Sequence, residues 1–216
     1  MSEAPRDPQK PSVPTLGLVL AGGEGKRMGG DKPFREIAGK PLIELAVMRA
    51  ARQCDQVMIS SNDDAGAFAN FGVPVIGDLP EAGQGPLGGV LGGLNALPDG
   101  IDWLVTYPVD CPVVPGRMAI ELIDAALKKG AKAAYVNHAG RDHYLSSAWH
   151  RNAAPVIAKL LADGKRRVRG PLDALNAAEL FYDERSDQPG LFANANTVDE
   201  LASINAILSA QRASDA

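Results

Sequence analysis

The sequence predicts an α/β fold, a three-layer α/β/α sandwich whose twisted sheet is mostly parallel. Short aliphatic runs alternate with segments of helical period along the chain. The runs are continuously apolar, as expected of strands covered on both faces. The chemically conspicuous residues follow the runs, and ligands on such sheets bind beyond the carboxyl ends of the strands. Residues 1–14 are polar, carry four prolines and have no apolar centre, so they read as a disordered tail without a signal peptide. Residues 15–216 read as a single domain. Its first strand is Leu16–Ala21, followed by a glycine-rich loop. A helix is predicted over Leu42–Arg52, with Leu42, Leu45, Ala46 and Arg49 at helical spacing. Gln56–Ser60 and Val73–Ile76 read as the next strands, the latter demoted towards an edge by Pro74. Trp103–Tyr107 and Ala133–Val136 follow, separated by a helix over Arg117–Lys129 that Gly130 stops. Beyond Tyr135 the pattern is less regular, and Leu145–Trp149 and Leu191–Ala195 are predicted as further strands.

A chain of 216 residues, 45% hydrophobic and 22% charged, can bury one sizeable core. Its net charge of −4 argues against nucleic acid or anionic membranes as general partners, so an anionic ligand needs a local cluster of Lys and Arg. No apolar run is long enough for a membrane span. The two cysteines, Cys54 and Cys111, form no metal motif or disulfide framework. They read as reduced thiols, and a cytoplasmic location is expected.

The segment Leu20–Lys32 holds five glycines and three basic residues in thirteen positions. Glycines let the backbone approach a phosphate and form an anion nest, while Lys26, Arg27 and Lys32 add formal charge. A Walker A loop is excluded because Arg27, not Ser or Thr, follows Gly25-Lys26. The dinucleotide fingerprint is excluded because Met28 stands where its third glycine should be. The competing reading is a solvated loop. Asp110, between Pro108 and Pro112 after a strand, suits Mg²⁺, which takes one or two carboxylates plus phosphate oxygens. Its competing role is to cap the helix beginning near Pro115. Gly85-Pro86 opens a helix whose glycines serve either a ligand at its N-terminus or close packing on the sheet. The last third adds Arg141-Asp-His143, the basic run Gly164–Arg169 and Asn194-Ala-Asn196 at a predicted strand end, then a Thr197–Glu200 capping box. A charge run is as readily a solvated face, and a single His as readily structural.

Taken together, Leu20-Ala-Gly-Gly, Arg27-Met-Gly-Gly-Asp-Lys32, Pro108-x-Asp110-x-Pro112, Gly85-Pro-Leu, the Arg166-Arg167 loop and Asn194-x-Asn196-Thr resemble the molybdenum cofactor guanylyltransferases over roughly residues 16–207. The resemblance implies a Rossmann-like nucleotidyltransferase fold and Mg²⁺-dependent transfer of GMP from GTP to the phosphate of molybdenum-molybdopterin. It assigns GTP contacts to Leu20, Ala21, Gly22, Gly23, Lys32, Ser60, Asn62, Asp78, Gly85 and Asp110, with Arg27, Lys32 and Asp110 catalytic and Asp110 on the metal. Asp78 lies near the guanine nucleotide, and a carboxylate there can accept from the N1–H and 2-amino group of the base, although a turn role competes. Ser60 stands where the family carries an Asn, and His143-Tyr-Leu replaces its usual His-Pro-Thr. Arg166, Arg167, Asn194 and Asn196 fall on the molybdopterin side. The family also implies contact with a molybdenum-insertion protein and molybdoenzyme chaperones. A cytidylyltransferase or sugar-phosphate nucleotidyltransferase of the same fold is the nearest alternative, and a non-catalytic nucleotide-binding protein the more distant one.

Overall fold

The computed structural model describes residues 7–22, 32–183 and 189–214, without the side chains of 210–214. Its strands are β1 (Thr15–Leu20), β2 (Glu36–Ile37), β3 (Lys40–Pro41), β4 (Gln56–Ser60), β5 (Val75–Ile76), β6 (Trp103–Pro108), β7 (Ala133–His138), β8 (Arg141–His150) and β9 (Ala178–Tyr182). The helices are α1 (Leu42–Gln53), α2 (Pro86–Asn95), α3 (Met118–Lys129), α4 (Ala154–Ala162), α5 (Arg169–Ala174) and α6 (Val198–Ser214). Seven strands make one sheet in the order β5-β4-β1-β6-β8-β7-β9, and β2 and β3 form a separate hairpin.

The strand period of two builds the layers. Leu16, Leu18 and Leu20 of β1 point into one core with α2, α4 and α5, while Val19 points into the other with α1 and α3. In β6, Leu104 joins the first core and Trp103, Val105 and Tyr107 the second. Helices α1 and α3 bury faces that overlap the expected stripes: Leu42 and Ala46 are buried on α1 as expected, with Ile43 and Ala50 rather than the partly exposed Leu45 and Arg49, and Met118, Leu122 and Ala126 are buried on α3 with Ile123 rather than Ala125. Gly130 ends α3 in the left-handed conformation (φ 67°). Pro11 is buried and Val13 packs against the second core, so residues shortly before β1 lie on the body of the domain.

The sheet is parallel except at β8, which runs antiparallel to both β6 and β7. The predicted strand at Leu145–Trp149 is the second half of this longer element, and Arg141-Asp-His143 is its start rather than a loop before it. Residues Val73 and Pro74 precede β5 instead of joining it; the Pro74 carbonyl still accepts from the Ile59 N–H (2.9 Å), at the sheet edge that Pro74 predicted. The predicted strand at Leu191–Ala195 does not form. Phe192 takes a positive φ of 56° within a turn that the Ala193 N–H closes on the Gly190 carbonyl (3.0 Å), and the Phe192 and Ala195 N–H groups serve another loop rather than the sheet.

One irregularity opens the sheet above its middle. Tyr135 pairs with Ser147, but the next residue, Val136, pairs with His143, leaving Tyr144, Leu145 and Ser146 bulged from β8. The pairing of β6 with β8 stops at Val105, whereas its pairing with β1 continues to Pro108. Thr106 fills the fork. Its hydroxyl donates to the Leu145 carbonyl (2.6 Å), accepts from the Ser147 N–H (3.2 Å) and lies 2.8 Å from Ser147 Oγ, which also takes the Trp149 Nε1–H (2.8 Å). The carboxyl end of β6 thus has one side unpartnered, and Asp110 follows there.

Candidate functional site

The site begins where β1, β4 and β6 end together. The Ala21 N–H donates to the Ser60 carbonyl (2.9 Å) and the Val109 N–H to the Leu20 carbonyl (3.1 Å), so the three strand exits are tied by main chain. Leu20 and Ala21 are buried and Gly22 is exposed, marking where the chain leaves the sheet. Gly23 and Arg27 lie outside the described residues.

Lys32 returns the chain to the site in a short 3-10 turn, Lys32–Phe34. Pro33 is buried and the Phe34 ring stacks on Phe68 at 5.4 Å, anchoring this turn from below. The Lys32 ammonium donates to Asp110 Oδ2 (2.9 Å) and to Asn196 Oδ1 (2.7 Å). Three residues expected on two different sides of the site therefore meet at one nitrogen. The side chains of Lys32 and Asp110 are 16% and 26% exposed, sheltered yet open to a ligand.

Asp110 is held from several directions. Its carbonyl accepts from the Ala195 N–H (2.8 Å), and the Val113 carbonyl accepts from the Phe192 N–H (2.9 Å), lashing the loop at 190–197 to the loop after β6. Helix α3 is not capped by Asp110. Gln53, buried at the end of α1, accepts from the Ala119 N–H (3.0 Å) and donates to the Pro115 carbonyl (3.1 Å) instead. The carboxylate is thereby left to Lys32 and the cleft. The Cys111 thiol is pushed up to about 12 by burial, with Asp110 adding to the shift. The Cys54 thiol likewise rises to about 12 by burial. Neither supplies a thiolate nucleophile at neutral pH.

The second wall is the loop between β5 and α2. Asn62 Oδ1 accepts from the Asp78 N–H (2.9 Å), and Asp78 Oδ2 accepts from the Gln84 N–H (3.2 Å). Gly85, at φ 68°, sits at the N-cap of α2 with Pro86 next in the helix. The glycines of α2 serve packing: a methyl group at Gly92 would overlap the Gly77 carbonyl, one at Gly89 the Ser60 hydroxyl, and one at Gly88 both Asp78 and Gln84. Ser60 is 3% exposed and its hydroxyl lies under Gly89, so the position where an Asn was expected is closed over by α2.

The third wall is more open. Arg166 and Arg167 are exposed in the loop between α4 and α5. Arg166 Nε donates to Gln84 Oε1 (3.1 Å), joining this loop to the Asp78 wall. Asn194 and Asn196 share a loop rather than a strand, so strand alternation does not align them; Asn196 reaches Lys32, and no hydrogen bond or ion pair among the described residues joins the Asn194 or Arg167 side chain to the others. Glu200 accepts from the N–H groups of Asn196 (2.8 Å) and Thr197 (3.1 Å), and Thr197 Oγ1 accepts from the Glu200 N–H (3.2 Å), completing the expected capping box on α6. Phe192 packs among His138, His143 and Tyr182, with ring centroids 5.6, 5.0 and 5.4 Å away. Burial, aided by Arg141 and His138, lowers His143 to about 4, so this imidazole is neutral at pH 7. Gln84 and Gln53 were not foreseen as site residues. Only the glycines on either side of Gln84 hinted at a tight turn, and nothing local marked Gln53.

The donor set suits a shared rather than a caged metal. No group of three or more His, Cys, Asp or Glu that could hold an ion occurs among the described residues. One partly exposed carboxylate fits a divalent ion completed by substrate phosphates and water, as Mg²⁺ is. No helix of the described residues is long and apolar enough to cross a membrane.

Comparison with known proteins bears on the family and the fold. Residues 17–178 match the family model of the MobA-like NTP transferase domain. A molybdenum cofactor guanylyltransferase of Rhodopseudomonas palustris strain BisB5 is 39% identical over 194 residues, 87% of this chain and 91% of its own. One from Cereibacter sphaeroides is 42% identical over 196 residues, 89% and 96% of the two chains. The crystal structure of molybdopterin-guanine dinucleotide biosynthesis protein A from Archaeoglobus fulgidus superposes with a TM-score of 0.74 at 24% identity, covering 90% of this chain and 98% of that one, a likeness of fold.

Proposed function

The chain belongs to the MobA-like NTP transferase family, as a nucleotidyltransferase akin to the molybdenum cofactor guanylyltransferases, and from that premise we propose the reaction its cleft performs. It transfers GMP from GTP to the terminal phosphate of molybdenum-molybdopterin and releases pyrophosphate. The carrying observation is the meeting of Lys32, Asp110 and Asn196 at the carboxyl end of the sheet.

A phosphate oxygen of the acceptor attacks the α-phosphorus in line, and the bond to the β-phosphate oxygen breaks. The acceptor is already an anion, so the reaction needs neither a protein nucleophile nor a general base; it needs charge neutralisation and alignment. Lys32 leaves Asp110 to meet phosphate oxygens, and Arg27 in the glycine-rich loop adds a second cation. Asp110, freed of Lys32, holds Mg²⁺, which when bound neutralises phosphate charge and stabilises the departing pyrophosphate. The main chain at Leu20, Ala21 and Gly22 lies along the nucleotide, and the resemblance gives Gly23 the same role. Asp78 reads the guanine edge from the wall that Asn62 fixes, with Ser60 contributing main chain and Gly85 the helix opening. Arg166, Arg167, Asn194 and Asn196 receive the molybdopterin, and Asn196 aligns Lys32 between the two substrates.

We place the enzyme in the cytoplasm as one domain that takes in the residues shortly before β1; the two buried free thiols support that compartment. Acceptance of the pterin from a molybdenum-insertion protein and delivery to molybdoenzyme chaperones extend the same reading.

The test is pyrophosphate release from purified protein with Mg²⁺, molybdenum-molybdopterin and each of GTP, CTP and ATP. GTP alone should support it. Turnover with CTP in preference to GTP would move the enzyme to the cytidylyl branch, and silence with all three would end the catalytic reading.

A further inference from the structure

Gln84 stands between the two substrate walls. It is 4% exposed, between Gly83 (φ 84°) and Gly85 (φ 68°), whose positive φ angles let the chain turn on either side of it. Its N–H donates to Asp78 Oδ2 (3.2 Å), its Nε2 to Glu81 Oε1 (3.1 Å), and its Oε1 accepts from Arg166 Nε (3.1 Å). The glycine at position 88 leaves no room for Gln84 to withdraw, since a methyl group there would overlap both Gln84 and Asp78. Every polar atom of this buried amide therefore has a fixed partner, and one of those partners is an exposed arginine from a loop far away in sequence.

We infer that Gln84 is a positioning residue for the acceptor. It holds Arg166 by Nε and leaves the terminal guanidinium nitrogens aimed at an anionic ligand, in the register set by the Asp78 wall. An exposed arginine otherwise samples many rotamers, and ordering it in advance removes part of the entropy lost on binding. The inference rests on the reading of Arg166 as an acceptor residue.

The test is steady-state kinetics with GTP and molybdenum-molybdopterin for Gln84→Leu, Gln84→Glu, Arg166→Met and the double variant Gln84→Leu/Arg166→Met. Gln84→Leu should raise the acceptor KM by about fivefold to tenfold, leave the GTP KM within about twofold and add nothing on top of Arg166→Met. Gln84→Glu, made together with Glu81→Gln so that the new carboxylate again faces a partner that can donate to it, keeps an acceptor for Arg166 and should recover most of the loss. If Gln84 served packing alone, a buried carboxylate would instead fare worse than leucine. Arg166→Met raising the acceptor KM while Gln84→Leu does not would overturn this inference alone, as would effects that multiply in the double variant. An unchanged acceptor KM in Arg166→Met would remove the acceptor-side reading and this inference with it.

Discussion

The two walls that we propose as the nucleotide wall and the acceptor wall are built to different standards of rigidity. On the nucleotide wall, Asn62 and Asp78 are bonded to main-chain N–H groups, Lys32 keeps Asn196 when it turns from Asp110, and α2 lies so close that its glycines admit no side chain. On the acceptor wall, two exposed arginines stand on a loop, one held by a single amide and the other by no side-chain bond among the described residues. A triphosphate and a divalent ion demand fixed positions because electrostatic catalysis depends on preorganisation. A large acceptor gains more from charge that can adjust to it. The contrast implies that substitutions on the first wall should strike turnover or the fold, and those on the second should strike acceptor affinity.

The strongest way to break that contrast is Asp110→Ala. Turnover should fall by about a thousandfold or more, on the scale of losing a principal electrostatic stabiliser, with the thermal transition little changed. A variant that retained near wild-type rates with Mg²⁺ would show that the rigid wall is not the reacting one. Lys32→Ala should cost about 2 kcal/mol of transition-state binding, near thirtyfold in kcat/KM for GTP, as for a lost charge-assisted bond. Ser60→Asn tests the packing itself. The larger amide must displace α2 at Gly89, and an overpacking cost of about 1–3 kcal/mol should lower Tm by several degrees, read by calorimetry. An unshifted Tm would mean that α2 yields and the wall is softer than its contacts imply. Arg167→Ala should have the smallest effect, raising the acceptor KM by about threefold at low salt and by less at high salt, since the charge is exposed and screened. An effect on kcat that ignores salt would place Arg167 among the rigid groups instead.

The two walls also differed in how far their sequence disclosed them. Strand runs such as Leu16–Leu20 and helices such as Leu42–Gln53 declare themselves because burial on a regular element imposes a period on neighbouring residues. Lys32 and Asp110 were legible because a charged side chain beside glycines or prolines after a strand has few structural uses. Leu191–Ala195 was misread because an apolar run looks the same whether it pairs in a sheet or packs as a loop. What decides is the pair of hydrogen bonds from Phe192 and Ala195 to Val113 and Asp110, which no local pattern records. The reversal of β8, the seat of Ser60 under Gly89 and the reach of Arg166 to Gln84 are similarly long-range facts.

Helix α6 also reaches back to the front of the chain. Asn205 accepts from the N–H of Ala38, at the tip of the β2–β3 hairpin that follows Lys32, while Asn196 just before α6 holds Lys32 itself. During synthesis Lys32 and Ala38 emerge long before Asn196 and Asn205, and domains take shape as their chain emerges. A polypeptide ending before residue 196 carries Lys32 and Asp110, yet lacks the amide that meets Lys32. Removing residue 196 and those after it releases both Lys32 and Ala38 from these bonds, which makes this region an unsuitable place to trim when shortening the domain.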